Sequence, residues 1–491
     1  MPAVAPAPDQ GIASLRDPDG RVVRYDGRVL RLVNASSWPA LESFLGSSTA
    51  LSLVGAGKLI GSTVLDLPDR EALLQRPELR SATKDFELGA LLEHERVPFV
   101  SFPYEWPPEM LHAAGALTLD LAALLLDQGL GLKDATPHNV LFRGAAPVFV
   151  DLPSVEHRVP GDPTWRPYAQ FIRTFLLPLL VHRRFGLSPA ELLLLRRDGI
   201  EPVDVYRLCG PLGRLLPPFL SLVTVPVWLG ARQNPDDATI YAQRAWKDEA
   251  RARFVLGRLL RGLRRRLDAL APAVSRRSSW SDYMAQGQNN YTEQSRQAKE
   301  DFVNAALGEV RPRTVLDVGC NEGHFSLLAA RRGAQVVALD LDPVVVGALW
   351  RRAHAEGLDI LPLVVNLSRP TPAMGWRNRE GAAFLDRARA QFDCVFMLAV
   401  IHHMIVTEGL PLDDILSLAA ELTTEAAIIE FVTPDDSMFR RLTRGRGALY
   451  TWLTRDRFET ACTAHFRIVR SEQPAGSKRR LYLLRKLDRA R

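Results

Sequence analysis

The chain is poor in the residues that would indicate a disulfide scaffold or a structural zinc site. Only four of its 491 residues are cysteines, none stands in a Cys-x-x-Cys pair, and none has histidines at metal-ligand spacing. They are Cys209, Cys320, Cys394 and Cys462. Small secreted domains usually depend on many disulfides, and structural zinc needs grouped ligands. The scattered cysteines therefore indicate a reducing compartment.

Long apolar runs and a secretory signal are missing as well. The stretch 215–230 is strongly apolar, but it contains three prolines and is shorter than the roughly 20 residues of a membrane-spanning helix. Residues 1–10 are rich in Pro and Ala and lack the charged-then-apolar order of a signal peptide. We therefore expect a cytoplasmic protein in which the runs 170–182 and 215–230 are buried helices.

Positive charge is concentrated in one segment. The net charge is +6, and residues 251–277 contain nine arginines against the single acid Asp268. Leucines recur there at spacings of three and four, which predicts an amphipathic helix. Three interpretations are open: a solvated helix between domains, contact of residues 215–270 with an anionic membrane, or nucleic-acid binding. We do not expect a nucleic-acid partner, because no interleaved aromatics accompany the arginines.

Residues 314–326 have the pattern of a buried strand, a glycine turn and a helix. Residues 314–318 are mostly apolar, and helical periodicity begins at Phe325. The turn reads Asp317-x-Gly319-x-Asn321-x-Gly323. Glycines at such a turn let a ligand approach the backbone closely. The carboxylate at the strand end favours a positively charged ligand, unlike the Gly-x-Gly-x-x-Gly turn that receives a pyrophosphate.

This stretch resembles motif I of class I S-adenosylmethionine (SAM) methyltransferases, and the alternating strands and helices after it follow that family's order. Strand 335–340 ends in Asp340, 23 residues beyond Asp317. The resemblance implies SAM as cofactor, with Asp340 on the ribose hydroxyls and Asn366 near adenine. The predicted cofactor-binding residues are Asp317, Gly319, Cys320, Asn321, Gly323, Asp340, Leu341, Asn366, Leu367 and Tyr291. Tyr291 belongs to an aromatic lead-in (with Trp280, Tyr283 and Lys299) that either covers the cofactor or simply packs.

Two histidines, His402 and His403, come just after the predicted strand 392–398. A histidine beside the methyl donor can act as the general base that removes the acceptor's proton, because its usual pKa is near neutral. A structural or capping role is the alternative. Glu430, in the apolar strand 426–432, is a second candidate base.

The first half has its own informative stretch. Asp134 and Asn139 stand five residues apart in a loop, and Asp151 ends a short strand twelve residues later. This resembles the catalytic loop and metal-binding Asp of protein kinases and of small-molecule phosphotransferases with the kinase fold. The resemblance implies ATP and Mg²⁺, with Asp134 as the base and Asn139 and Asp151 as metal ligands.

Several features of the kinase family are missing. No glycine-rich phosphate loop precedes the first strands, and no Val-Ala-x-Lys strand is present. Arg31, with Glu42 as its helix partner, or Lys58 would have to replace the usual lysine. A kinase-like fold without phosphate transfer is therefore the alternative.

Residues 366–380, the pair His402–His403 and residues 429–436 are similar to bacterial methyltransferases related to host-specific nodulation proteins. That resemblance covers the chain from about residue 20. We predict a disordered N-terminus at 1–19, an α+β kinase-like domain at 20–243 and a basic helix and linker at 244–279. An α/β doubly wound (Rossmann-like) methyltransferase domain follows at 280–488.

We expect a SAM-dependent methyltransferase that O-methylates a small-molecule, glycan or glycolipid precursor. Pairing these two domains also resembles polysaccharide chain-terminating enzymes, in which they stand in the opposite order. The alternatives are a bifunctional kinase–methyltransferase, an RNA methyltransferase and a pseudokinase-type binding scaffold.

Overall fold

Two units make up the chain in this computed structural model, which describes residues 11–12, 17–83, 87–230, 245–273 and 293–487. The first unit comprises residues 1–273 and 375–381, and the second comprises 274–374 and 382–491. Trp280, Tyr283 and Tyr291 lie outside the described residues.

The first unit begins with a five-stranded antiparallel sheet in the order β1-β2-β3-β5-β4. Its strands are β1 Gly11–Ile12, β2 Gly20–Tyr25, β3 Arg28–Asn34, β4 Ser62–Val64 and β5 Leu88–His94. Asp26 and Gly27, between β2 and β3, have φ of 50° and 71°, as a tight hairpin turn requires. Four short helices lie between β3 and β5: α1 Trp38–Leu45, α2 Ser48–Gly55, α3 Leu67–Leu74 and α4 Pro77–Ala82.

Part of the segment predicted to be disordered is ordered in this unit. β1 pairs with β2 through Gly11 and Ile12, and the Asp19 carboxylate accepts a hydrogen bond from Lys133 at 2.7 Å. Local composition predicted disorder because it carries no information about these distant partners.

The rest of the first unit is mainly helical. Its long helix α5 Pro108–Asp127 is followed by four short strands, β6 Leu130–Leu132, β7 Val140–Arg143, β8 Ala146–Phe149 and β9 Val155–His157. Helices α6 Tyr168–Phe171, α7 Leu177–Phe185, α8 Pro189–Leu195, α9 Pro202–Leu208, α10 Val225–Gly230 and α11 Glu249–Asp268 complete it. By length and composition α5 is the one described helix that could cross a membrane, but 67% of its apolar window is buried, as in a core helix.

The predicted amphipathic basic helix is present as α11. Its buried leucines are Leu256, Leu260, Leu263 and Leu267, and it packs on α5. The run 170–182 is helical and largely buried, as predicted. The run 215–230 is helical in part, but Trp228 and Leu229 are 49% and 55% exposed, so the prediction of a fully buried helix is wrong there.

The second unit is a doubly wound α/β fold, as predicted. Its seven-stranded sheet has the order β12-β11-β10-β13-β14-β16-β15, parallel from β12 to β14, with β16 antiparallel. The strands are β10 Thr314–Val318, β11 Gln335–Asp340, β12 Ile360–Val364, β13 Phe392–Met397, β14 Thr423–Val432, β15 Phe466–Glu472 and β16 Arg479–Lys486. The helices are α12 Glu293–Val310, α13 His324–Arg331, α14 Pro343–Glu356, α15 Phe384–Ala388, α16 Ile401–Val406, α17 Leu412–Leu422, α18 Ser437–Thr443 and α19 Arg455–Cys462.

Candidate functional site

The glycine turn lies between β10 and α13. Gly319, Asn321 and Gly323 have φ of 72°, 51° and 78°, a region that strongly favours residues without a bulky side chain. A Cβ at Gly323 would lie 2.3 Å from Leu349, and one at Gly319 would lie 3.1 Å from Val400. The turn therefore presents bare backbone at the carboxyl end of β10, where doubly wound sheets bind their ligands.

Asp317 is buried at this end of β10, with 3% of its surface exposed. Its carboxylate accepts a hydrogen bond from the Ser326 hydroxyl at 2.6 Å. Burial raises the pKa of Asp317 to about 6, and Ser326 and Lys299 partly oppose that rise. A buried carboxylate of this kind gains when a cation binds next to it.

Asp340 ends the neighbouring strand β11. Its two carboxylate oxygens accept hydrogen bonds from the backbone N–H groups of Asn321 and Asp342, at 2.9 and 3.0 Å. Burial raises the pKa of Asp340 as well, against the lowering effect of these backbone donors. One of its oxygens thus ties the glycine turn to β11, so both predicted carboxylates belong to one site.

The other predicted cofactor residues border the same strand ends. Cys320 is buried, its thiol donates to the Asn321 carbonyl at 3.4 Å, and burial raises its pKa well above the usual value. Leu341 is 57% exposed beside Asp340. Asn366 accepts a hydrogen bond from the Ser368 N–H at 2.9 Å, and Leu367 is buried. The buried carboxylate of Asp317 and the half-buried one of Asp340, on either side of an open glycine turn, fit a cationic cofactor such as SAM.

His402 and His403 lie on α16, one turn beyond the end of β13. Ala399 before them has φ of 60°, an unusual conformation for alanine that often marks functional sites. Val400, which approaches Gly319, links this segment to the glycine turn. The two imidazole rings are 4.3 Å apart. Neither ring nitrogen of His402 has a hydrogen-bond partner among the described residues, although the side chain is 2% exposed.

Both histidines are held in the neutral state. Burial and then the charge of Arg479 lower the pKa of His403 to about 4. Burial also lowers the pKa of His402 far below its usual range, with help from His403 and Arg479. The expectation of a histidine that titrates near neutral pH is therefore wrong for this site.

Glu430 belongs to a buried ion cluster at the end of β14. Its carboxylate pairs with Lys299 at 2.5 Å, and Arg479 lies 3.9 Å away. Arg479 in turn donates to Asp436 at 3.1 Å. Each of these four residues is at most 8% exposed. Glu430 is thus engaged with two cations, and Lys299 is an interior residue of α12.

Sequence reasoning missed Ser326, Asp436 and Arg479. Ser326 lies in a predicted helix, nine residues after its partner Asp317. Nothing in the sequence around Ser326 indicates that its hydroxyl donates a hydrogen bond to that carboxylate. The position of Arg479 at the start of a predicted strand could have indicated an ion pair, because a charged residue enclosed in a core strand usually has a carboxylate partner. The partner itself lies 43 residues earlier.

The predicted kinase-like residues also come together, in the first unit. Asn139 is buried, and its amide lies 3.5 Å from the Asp134 carbonyl and 3.2 Å from the Thr136 hydroxyl. Gln170 donates to the Asp134 carboxylate at 3.1 Å. Burial raises the pKa of Asp151, and the charge of Arg31 opposes this most strongly.

Arg31 takes the central position among these groups. It donates to the Asp151 carboxylate at 3.1 Å, to the Val150 carbonyl at 3.1 Å and to His94 at 2.9 Å. Asp17 lies 3.7 Å from the guanidinium, and burial followed by the charge of Asp151 raises the pKa of Asp17 to about 6.

The expected pairing of Arg31 with Glu42 is wrong, because the Glu42 side chain is exposed on α1. The described residues contain no group of three His, Cys, Asp or Glu side chains suited to a metal ion. Arg31 engages Asp151, and the assignment of Asn139 and Asp151 as Mg²⁺ ligands stays a prediction.

Comparison with known proteins finds a methyltransferase family and a relative that spans almost the whole chain. The family described as "Methyltransferase domain" matches residues 291–472. Nodulation protein NoeA of Rhizobium meliloti (strain 1021) is 30% identical over 485 residues, which are 98% of this chain and 97% of that protein.

Two further similarities are partial. The O-antigen chain terminator bifunctional methyltransferase/kinase WbdD of Escherichia coli is 30% identical over 142 residues, which are 28% of this chain and 18% of that protein. Among solved structures, magnesium protoporphyrin IX methyltransferase (ChlM) from Synechocystis PCC 6803 with bound SAH has a TM-score of 0.31 and 18% identity. That match covers 42% of this chain and 92% of the other.

Proposed function

The chain belongs to the family of nodulation protein NoeA and is a SAM-dependent methyltransferase, and from this premise we propose that it O-methylates a glycan or glycolipid precursor in the cytoplasm. The observation that carries the methyl-transfer assignment is the pair of carboxylates around the glycine turn, buried Asp317 and half-buried Asp340. The partial similarity to an enzyme named as an O-antigen chain terminator supports a glycan acceptor.

Each group at the site has a role in this proposal. SAM, when bound, supplies an electrophilic methyl group on a positively charged sulfur. Asp340 holds the ribose hydroxyls, and Asp317 favours the positive charge. His403 would accept the proton of the acceptor hydroxyl as that oxygen takes the methyl group from the sulfur, which leaves as S-adenosylhomocysteine.

A pKa of about 4 for His403 is compatible with that role. The hydroxyl oxygen becomes a strongly acidic oxonium as the new bond forms, so even a weak base at hydrogen-bond distance can take the proton. A neutral imidazole, unlike an imidazolium, carries a lone pair that can accept a proton. Glu430 is a poorer base, because Lys299 already occupies its carboxylate.

Methyl transfer to extracted acceptors tests the proposal. The full chain is incubated with methyl-labelled SAM and separate glycan, glycolipid and RNA extracts. We expect label in a glycan or glycolipid fraction, and none with the Asp340→Ala protein. The Asp359→Ala protein is the matched control, because Asp359 is exposed at the start of β12 and should leave labelling unchanged. Label confined to RNA, or unaffected by Asp340→Ala, would contradict the proposal.

The kinase-like unit acts in this proposal as a binding body that transfers no phosphate. The contact of Arg31 with Asp151 supports this assignment, because it engages the carboxylate that would otherwise hold Mg²⁺. Incubation with labelled ATP and the same extracts should give no phosphate transfer. Transfer that is lost in Asp134→Asn and in Asp151→Ala would instead establish a bifunctional kinase–methyltransferase.

The proposed membrane contact, within residues 215–270, includes one stripe of α11. Phe254, Arg258, Arg261 and Arg265 follow one another at spacings of four, three and four and line an open groove of about 520 Å³. Phe254 is 59% exposed, and an apolar ring among arginines is typical of helices that lie on anionic lipid. We expect the chain to sediment with phosphatidylglycerol vesicles and not with phosphatidylcholine vesicles. The variant R258Q/R261Q/R265Q should no longer sediment with phosphatidylglycerol vesicles. If it still does, these residues are not the membrane contact.

A further inference from the structure

Residues 437–452, which we name the basic-aromatic segment, directly follow the carboxyl end of β14. Asp317, Asp340 and the two histidines lie at the same edge of the sheet, because β10, β11, β13 and β14 are parallel. The segment comprises α18 and a short 3₁₀ turn, Gly447–Tyr450. This position places the segment beside the site, where it could contact the methyl acceptor.

A chain of ring contacts joins this segment to the histidines. The rings of His402 and Phe439 are 6.4 Å apart, and those of Phe439 and Tyr450 are 5.7 Å apart. The two nitrogens of His402, buried and without partners among the described residues, therefore lie beside the packed base of the segment. Trp452, at its far end, is 45% exposed. A buried imidazole with unused hydrogen-bonding capacity beside exposed aromatic rings indicates a site for a polar ligand.

The charge of the segment selects the kind of ligand. It contains Arg440, Arg441, Arg444 and Arg446 and no acidic residue. All four arginines are exposed, and no carboxylate among the described residues lies within ion-pair distance of them. The nearest preceding acids are already engaged, Asp435 by Lys478 and Asp436 by Arg479. Arg446 donates a hydrogen bond to the Thr443 carbonyl at 3.4 Å. Exposed guanidinium groups without a carboxylate partner favour phosphate and carboxylate ligands, which they bind bidentately.

We propose that the basic-aromatic segment binds the methyl acceptor and that this acceptor is an anionic saccharide, with phosphate or carboxylate groups on the arginines and a sugar ring against Tyr450 and Trp452. The inference rests on the proposed function, since it names the chemical class of the acceptor for the same site. His402 is a positioning residue in it, which offers a hydrogen bond to the saccharide beside the base His403.

Calorimetry on the full chain saturated with S-adenosylhomocysteine tests the proposal. The probes are UDP-N-acetylglucosamine, which carries phosphates, trigalacturonic acid, which carries carboxylates, and uncharged chitotriose. We expect at least one anionic probe to bind, with an affinity that weakens at high salt, and chitotriose to bind more weakly. The stronger of the two anionic probes identifies whether phosphate or carboxylate is the recognised group.

Two matched triple variants localise the effect. R440Q/R441Q/R444Q removes three charges from the segment and should weaken the anionic probe by about tenfold or more, as expected for lost charge-assisted hydrogen bonds. R311Q/R313Q/R467Q removes three charges elsewhere in the same unit and should change the affinity by less than about twofold. Trp452→Ala keeps every charge and should weaken all saccharide probes.

The outcomes separate this inference from the proposed function. Equal binding of charged and uncharged probes, wild-type affinity in R440Q/R441Q/R444Q, or tighter binding of an RNA oligonucleotide than of any saccharide would overturn it. Binding of S-adenosylhomocysteine by both triple variants verifies their folding. Failure of the wild-type chain to bind S-adenosylhomocysteine would refute the donor assignment instead.

Discussion

Replacing Asp317 with Asn should stabilise the unliganded methyltransferase unit and abolish SAM binding at the same time. Asp317 is buried, and its burial raises the pKa from 3.8 to about 6. Between these two values the folded chain retains a proton that the unfolded chain has released, so the free energy of unfolding falls as the pH rises. At about 1.4 kcal/mol per pKa unit, the ionised carboxylate costs about 3 kcal/mol of stability at neutral pH.

The D317N side chain removes this cost because it carries no charge. Its amide oxygen can still accept the hydrogen bond that Ser326 donates at 2.6 Å. We therefore expect a gain of up to about 3 kcal/mol in unfolding free energy at neutral pH, which shrinks as the pH falls toward the unfolded pKa. SAM should lose affinity, because its positive charge no longer meets an anion in a low-dielectric site.

Denaturant unfolding of the full chain at several pH values measures the stability, and calorimetry measures SAM affinity. The transition to follow is the one that S-adenosylhomocysteine shifts in the wild-type chain, since the two units can unfold separately. Asp359→Asn makes the same chemical change at an exposed position and should alter neither quantity. Wild-type SAM affinity in D317N, or a stability difference that does not grow with pH, would refute the reasoning.

Substitutions at three other positions separate the remaining roles. Asp340→Ala should abolish SAM binding in calorimetry, because its carboxylate both binds the ribose and fixes the turn through the Asn321 N–H; unchanged affinity would exclude that role. His403→Ala should lower methyl transfer without loss of SAM affinity. With SAM at saturation, which keeps Asp317 ionised, the wild-type rate should fall on the acid side only near the pKa of about 4 that burial and Arg479 give His403; an acid limb near the usual histidine pKa at saturating SAM would contradict this. Lys299→Met should lower the unfolding free energy by about 3 kcal/mol, because it removes the nearest cation from buried Glu430. Recovery in the double variant Lys299→Met/Glu430→Leu would support that cause, and its absence would point to packing instead.

Elements whose signals are local could be predicted from the sequence. The strand–turn–helix at 314–326 depends on residues that are neighbours along the chain. The alternation of strands and helices after residue 314 predicted the doubly wound sheet, because parallel strands require such crossovers. The two carboxylates of the donor site follow from the same rule, since they end adjacent parallel strands.

Pairings between distant segments could not be predicted. Arg31 meets Asp151 across 120 positions, and Lys299 meets Glu430 across 131. The sequence indicated a separate role for each of these residues, but it indicated neither pairing. Only the fold brings the partners of each pair close together.

The buried ion cluster gives the two halves of the methyl-transfer site different charge environments. On the donor side, Asp317 and Asp340 supply negative charge where the cationic cofactor binds. On the acceptor side, burial lowers the pKa of both histidines, and the charge of Arg479 lowers both further, with a smaller effect of Lys299 on His402. An imidazolium there would repel the positive sulfur and could not accept a proton, so neutral histidines serve both binding and proton removal. Glu430 pairs with Lys299 and Asp436 pairs with Arg479, so the two cations lie in the protein interior without a large unpaired charge.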